Sequence, residues 1–273
     1  MPNRHLFYSK KNSCQTQKIP LKFSYICQNV FMTTRLVIIP TYNEVENIES
    51  LIREVFSLHE DFDILVVDDN SPDGTAEKVQ ALQHEFQEQL FLENRQEKSG
   101  LGTAYIHGFK WALKRSYAYI FEMDADFSHN PKDLIRLYHA CAEKEGSLAI
   151  GSRYASGINV INWPMKRVLI SWFASKYVKF VTGLDVSDAT AGFVCYHRSI
   201  LEKINLENIQ FVGYALQIEM KFKTKLLGFR LTEVPIIFTN RVRGKSKMSS
   251  GIFSEAFFGV ISMKFKSLLG REL

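Results

Sequence analysis

The sequence contains no uninterrupted apolar run of the roughly 18–20 residues that a membrane crossing needs. Its longest candidate, near the C-terminus, is broken by Glu255, Lys264 and Lys266. Cysteine is scarce. Cys14, Cys27, Cys141 and Cys195 are scattered and form no CxxC pair, so neither a zinc site nor a disulfide framework is suggested and a reducing compartment is expected. Acidic residues are missing from residues 1–32, which carry Arg4, Lys10, Lys11, Lys18 and Lys22. Those five account for the whole net charge of +5, because the other 29 basic residues balance 29 acidic ones. The basic balance is thus no sign of nucleic-acid binding by the body of the chain. The leader lacks the apolar stretch of a secretory signal. Residues 1–31 read as a disordered extension or an upstream mis-start, with a targeting role as the alternative.

What is present is an ordinary globular composition, 46% hydrophobic and 23% charged over 273 residues, enough for one large α/β domain or two small ones. Strand and helix signals alternate. Leu36-Val37-Ile38-Ile39 is a buried-strand run ending in Pro40-Thr41-Tyr42-Asn43-Glu44, where Asn43 is placed to cap the next helix. Ile64-Leu65-Val66-Val67 delivers Asp68-Asp69 to the same edge, followed by the turn-forming Asn70-Ser71-Pro72-Asp73-Gly74-Thr75. Leu90-Phe91-Leu92 is a third strand. Gly100-Leu101-Gly102-Thr103 opens a helix, but the third glycine of a dinucleotide fingerprint is absent. The pattern predicts an open, mainly parallel sheet with helices on both faces.

The organising stretch is the apolar, aromatic run from Tyr117 to Met123, which ends in Asp124-Ala125-Asp126. Ligands of open α/β sheets gather at the carboxyl ends of the strands. Two carboxylates there suit a hard divalent cation bridged to phosphate, or a solvated turn with an Asx cap. After Gly151-Ser152-Arg153-Tyr154 the alternation stops. Residues 155–163 and 185–193 read as loops, and residues 231–238 as a strand. Residues 164–181 read as a basic, apolar-rich helix, either a core helix with snorkelling cations or a membrane-facing one. Arg241-Val242-Arg243-Gly244-Lys245-Ser246-Lys247 packs four cations around a glycine, which reads as a solvated loop or a phosphate clamp. An amphipathic helix closes the chain.

Taken together, these blocks resemble the dolichol-phosphate (polyprenol-phosphate) mannose synthases, inverting enzymes of glycosyltransferase family 2. The likeness runs from Arg35 to Lys247 and is carried by the PTYNE, DDNSPDGT, GLGTAY, MDADFSH, GSRY and RVRGKSK blocks. It implies a GT-A fold with C-terminal amphipathic helices: residues 32–250 as the transferase domain and 251–273 as the final helix. It implies transfer of mannose from GDP-mannose to a polyprenyl (dolichyl) phosphate with Mg²⁺ or Mn²⁺. Pro40, Tyr42 and Glu44 would hold the guanosine, with Val67 and Asp69 completing that pocket. Asp124, Ala125 and Asp126 would hold the ribose-diphosphate and the metal. Asp126 would be the leading metal ligand, and Ser128 stands where some members place a second, Gln. Arg153 and Arg167 would contact phosphate, and Arg241 and Lys247 would close over the donor and acceptor phosphates.

The same likeness implies no general base, because a prenyl phosphate is already ionised and needs only positioning and charge neutralisation. Some such enzymes carry C-terminal spans. This chain resembles the short form, expected at the cytoplasmic face of a membrane and reaching it through residues 253–269 and 172–180, or through a small anchoring subunit. Two other readings stay open: a prenyl-phosphate transferase using another donor such as UDP-glucose, and a non-catalytic subunit of a glycosylation complex. A nicotinamide-dependent oxidoreductase is the most distant.

Overall fold

The structure, a computed structural model, describes residues 34–143, 147–211, 213, 215–241 and 252–269. Its layout follows from the short apolar runs. In β1 (Arg35–Thr41) and β2 (Asp63–Asp68) the interior positions are buried on both faces, as expected of strands covered by helices on each side. Side chains alternate between two cores. Leu36, Ile38, Leu65 and Val67 point into one core, and Val37, Ile39, Ile64 and Val66 into the other. The second core is closed by α1 (Ile48–Phe56), α2 (Thr75–Gln83) and α4 (Asp133–Ala142); the first is closed by α3 (Leu101–Leu113) and by helices later in the chain.

With β3 (Leu90–Asn94), β4 (Tyr119–Glu122), β5 (Ser147–Ser152), β7 (Val194–His197) and β8 (Arg230–Pro235), the main sheet has the order β3-β2-β1-β4-β7-β5-β8. All pairings are parallel except those of β7, which runs antiparallel to both β4 and β5. The expected open, mainly parallel sheet is therefore present. β7 was not foreseen. Residues 194–197, Val-Cys-Tyr-His, form a stretch just behind a polar loop that is too short to show a period. The strand expected over 231–238 ends at Pro235, and its tail forms β9 (Phe238–Thr239), which pairs with the equally unforeseen β6 (Val160–Ile161).

The expected cap at Asn43 is corrected. Asn43 has φ 55°, a left-handed turn conformation that Asn tolerates, and α1 starts only at Ile48. The backbone N–H groups of this turn go to the Ser-Pro-Asp-Gly-Thr loop instead. Asn43 N–H donates to Ser71 Oγ (3.0 Å), Glu44 N–H to Thr75 Oγ1 (3.0 Å) and Val45 N–H to Asp73 Oδ2 (3.1 Å).

Four further helices cover the late strands: α5 (Met165–Thr182), α6 (Arg198–Lys203), α7 (Ala215–Leu226) and α8 (Ile252–Leu268). α8 packs on α5 and α7 and buries Val260 and Met263. Gly259 permits this approach, since a Cβ there would lie 2.3 Å from the Phe211 ring. No helix among the described residues is long and apolar enough to cross a membrane.

Candidate active site

The carboxyl ends of β2, β1 and β4 lie side by side, so the three polar strand ends share one edge. Thr41 pairs in register with Asp68, and Thr41 Oγ1 donates to Asp68 Oδ1 at 2.7 Å. Asp68 also accepts from the Ser71 N–H and hydroxyl, which holds the loop after β2 under the turn after β1. Asp73 takes the Val45 and Thr75 N–H groups and the Thr75 hydroxyl. Burial pushes its pKa up, but these hydrogen bonds outweigh burial and hold it below the ordinary range.

At this edge Pro40 is the penultimate residue of β1, and Tyr42 is half-buried with the Lys98 ammonium 4.0 Å from its ring centroid. Glu44 is buried and accepts from Asn47 Nδ2. Val67 lies inside the core. Asp69 is held by Arg95 Nε at 2.6 Å and by the Gly100 N–H at 3.3 Å, tying the end of β2 to the start of α3.

Beyond β4, Asp124 and Asp126 face different partners. Tyr105 donates to Asp124 Oδ1 at 3.3 Å. Burial, and next the neighbouring Asp126 carboxylate, raise Asp124 to about 7. Asp126 is buried; its Oδ1 accepts the Ser128 N–H at 3.0 Å and its Oδ2 lies 2.8 Å from Arg241 Nη2. The buried His129 ring stacks on Phe193 with centroids 4.7 Å apart, and its Nδ1 accepts the Asp124 N–H. Burial lowers His129 to about 4 against the pull of Asp126, with Arg153 adding to the lowering. Its ring is thus neutral at physiological pH.

Arg153 makes a bidentate ion pair with buried Asp188, both contacts at 2.6 Å, and also donates to Thr190 Oγ1. Burial raises Asp188, yet the guanidinium and the Arg153 N–H hold its pKa below the ordinary range. Arg167 stacks on Trp163, 4.0 Å from the ring centroid, and donates to Asn240 Oδ1. The segment carrying Asn240 and Arg241 is pinned by Thr239 N–H to Ser128 O and Asn240 N–H to Ile161 O.

These groups meet in a cavity of about 1130 Å³. Asp124, Asp126, Ser128, Arg153, Arg167 and Arg241 all line it, and so does an apolar channel including Leu169, Ile170, Phe173, Ile218, Phe257 and Val260. Pro40, Tyr42, Glu44, Val67, Ala125 and Asp69 are not among its walls; they sit at or behind the adjoining strand ends. Beneath the cavity, Gln217 Nε2 donates to Glu122 Oε2 at 2.7 Å, while Lys221 donates to Ala191 O and to Gln217. Burial drives Glu122 up to about 8 and Lys221 down to about 8.

Lys247 lies outside the described residues, as do residues 1–31. Sequence reasoning missed Arg95, Tyr105, Asp188 and Gln217. Each works through a partner distant in the chain, and no local spacing marks it. Among the described residues, no three His, Cys, Asp or Glu side chains are grouped to hold a metal. The oxygen donors of Asp124, Asp126 and Ser128 nonetheless fit a hard divalent cation, which commonly takes only one or two protein carboxylates and completes its shell with phosphate and water. The position of a cationic guanidinium at Asp126 supports that fit.

Comparison with known proteins gives the same picture. The family model described as glycosyl transferase family 2 matches residues 36–205. The polyprenol monophosphomannose synthase of Mycolicibacterium smegmatis is 43% identical over 236 residues, covering 86% of this chain and 89% of that protein. The undecaprenyl-phosphate mannosyltransferase of Micrococcus luteus is 44% identical over 225 residues, 82% of this chain and 91% of that protein. Among solved structures, glucosyl-3-phosphoglycerate synthase from Mycobacterium tuberculosis, in complex with Mn²⁺, UDP and glucosyl-3-phosphoglycerate, matches with a TM-score of 0.60 at 19% identity over 88% of this chain and 81% of its own. A mannosyltransferase from Pyrobaculum calidifontis in complex with GDP-mannose and Mn²⁺ matches with a TM-score of 0.55 at 17% identity over 86% and 64%. These last two establish the fold alone, a GT-A arrangement. With a family model over most of its length and relatives above 40% identity across more than four-fifths of it, the chain belongs to glycosyl transferase family 2, alongside the polyprenol-phosphate mannose synthases.

Proposed function

We propose that the chain transfers mannose from GDP-mannose to a polyprenyl (dolichyl) phosphate, with inversion at the anomeric carbon. The observation that carries this reading is the two-ended cavity: a carboxylate and arginine cluster opens directly into an apolar channel between α5, α7 and α8. A nucleotide sugar needs the first end and a lipid phosphate needs both. The names of the two curated relatives support the sugar and the lipid, and the Pyrobaculum neighbour, a mannosyltransferase in complex with GDP-mannose, is consistent with that donor.

In the reaction a phosphate oxygen of the acceptor attacks the anomeric carbon. The bond from that carbon to the diphosphate breaks, and GDP leaves with the electron pair. The acceptor oxygen is already ionised, so no proton has to be removed. The work of the site is to bring two anions together and to stabilise charge on the leaving diphosphate. Arg241 and Arg167 supply positive charge at the cavity wall, while Asp188 and Thr190 hold Arg153 in place beside them. Lys247 would add a further cation. Pro40, Tyr42, Glu44, Val67 and Asp69 would receive the guanosine at the adjoining strand ends. A Mg²⁺ or Mn²⁺ ion, held by Asp126 with Asp124 and Ser128 nearby, would act as a Lewis acid on the diphosphate.

The outer faces of α5 and α8 support membrane access. Phe173, Phe180, Phe258, Phe265 and Leu268 are exposed, Phe180 by 90%, and Lys166, Lys176, Lys179, Lys264 and Lys266 lie among them. Apolar side chains interleaved with cations suit an anionic bilayer surface. Flotation with vesicles containing anionic lipid tests docking, and NMR of the product tests inversion. A lipid-linked α-mannosyl phosphate formed from the α-linked donor, or full activity in EDTA, would overturn the corresponding part of the reading.

A further inference from the structure

We propose that Tyr177 of α5 and Phe257 of α8 are specificity-determining residues for the acceptor, forming an aromatic wall against which the prenyl hydrocarbon beside the phosphate packs. The inference rests on the function proposed above and gives the last helix a role in selectivity rather than in anchoring alone. The two rings are stacked, with centroids 4.6 Å apart and planes 14° apart, and the Tyr177 hydroxyl donates to the Phe257 carbonyl at 2.8 Å. Both side chains line the cavity that holds Asp126 and Arg241. Phe257 is still 47% exposed, whereas Val260, one turn on, is buried.

A large ring left open on a cavity wall, with its helix fixed behind it, is preorganised for an apolar ligand. The fixing is tight, because Gly259 approaches Phe211 so closely that any side chain there would overlap the ring. The cavity, about 1130 Å³, is only slightly larger than pockets that enclose a drug-sized ligand, about 300–1,000 Å³. It can therefore enclose the first isoprene units, while the remaining tail leaves along the exposed faces of α5 and α8. A single-isoprene phosphate would reach the charged end but touch little of this wall.

The test compares a phosphate of one isoprene unit with one of several units, both in micelles of fixed composition so that bilayer docking does not enter. For Phe257→Ala, KM for the longer acceptor rises about tenfold, the scale of lost apolar pocket contacts, while donor KM, kcat at saturating acceptor and the one-unit acceptor are unchanged. Phe257→Leu restores part of the preference. Tyr177→Phe, which keeps the ring but removes the hydroxyl's bond to the Phe257 carbonyl, raises the longer acceptor's KM by a smaller factor. Equal effects on both acceptors, an effect on donor KM, or no effect in Phe257→Ala overturns the proposal. Acceptor affinity is measured alongside by titration calorimetry. Absence of transfer by the unaltered chain would overturn the functional reading, while the affinity ratio would still decide this one.

Discussion

Arg241 Nη2 lies 2.8 Å from Oδ2 of Asp126, whose Oδ1 is taken by the Ser128 N–H. Arg241, two residues beyond β9, is thereby joined to the acidic end of β4. Charge at this point is already balanced by the chain itself, so any cation arriving at Asp126 competes with a guanidinium.

The competition can be measured without turnover. Arg241→Gln binds Mn²⁺ more tightly in the absence of nucleotide, by about tenfold for the removal of one charge-assisted contact, as read by electron paramagnetic resonance titration. The same variant loses transfer activity by about 10²–10³-fold, because the leaving diphosphate loses a fixed cation. Unchanged or weaker Mn²⁺ binding would show that the guanidinium does not compete for this oxygen.

Asp124 imposes a pH dependence on stability. Its folded pKa, about 7, lies above its ordinary value of 3.8, so the native state binds more protons between those values. Its contribution is complete below about pH 4 and is lost as pH rises through 7. Asp124→Asn should therefore stabilise the ligand-free chain at pH 8, by about 1–2 kcal/mol after screening by water at a half-buried carboxylate, while abolishing transfer. Urea titrations at pH 4 and pH 8 check this; equal stability changes at both would contradict it.

The Arg153–Asp188 pair holds the loop between α5 and β7 against the cavity. Arg153→Ala leaves a buried carboxylate unpaired and should cost about 3–5 kcal/mol. Asp188 is held below its ordinary value of 3.8 in the intact pair, so the stability it supplies is present above about pH 4 and lost as pH falls through its lowered pKa. The cost of Arg153→Ala should accordingly be largest at neutral pH and shrink in acid, which thermal melts across that range would show.

Packing of the last helix makes a prediction independent of chemistry. Gly259→Val places a Cβ 2.3 Å from the Phe211 ring and should destabilise by about 1–3 kcal/mol through overpacking. Adding Phe211→Ala should recover part of that loss, since the two side chains share one space. Additive losses in the double variant would mean that α8 is seated elsewhere.

Much of this was legible in the amino-acid order. Leu36–Ile39 and Ile64–Val67 carry the doubly buried strand signal, and Asp124-Ala125-Asp126 stands where such a strand must end. Two things were not legible. The direction of β7 depends on its neighbours β4 and β5, not on the four residues Val194–His197 themselves. The Arg153–Asp188 and Arg95–Asp69 pairs join residues 35 and 26 positions apart, a separation at which no helical or strand period operates. The turn at Asn43 was misread because the N–H groups it exposes are satisfied by a distant loop, where local capping rules have no reach.

The most direct test is transfer of radiolabelled sugar into an organic-extractable product by the purified chain, with prenyl phosphate as acceptor and a panel of nucleotide sugars as donors. Label should pass from GDP-mannose alone, cease in EDTA and be abolished in Asp126→Ala. Lipid label arising from a different donor, or persisting when Asp126 is replaced, would contradict the account.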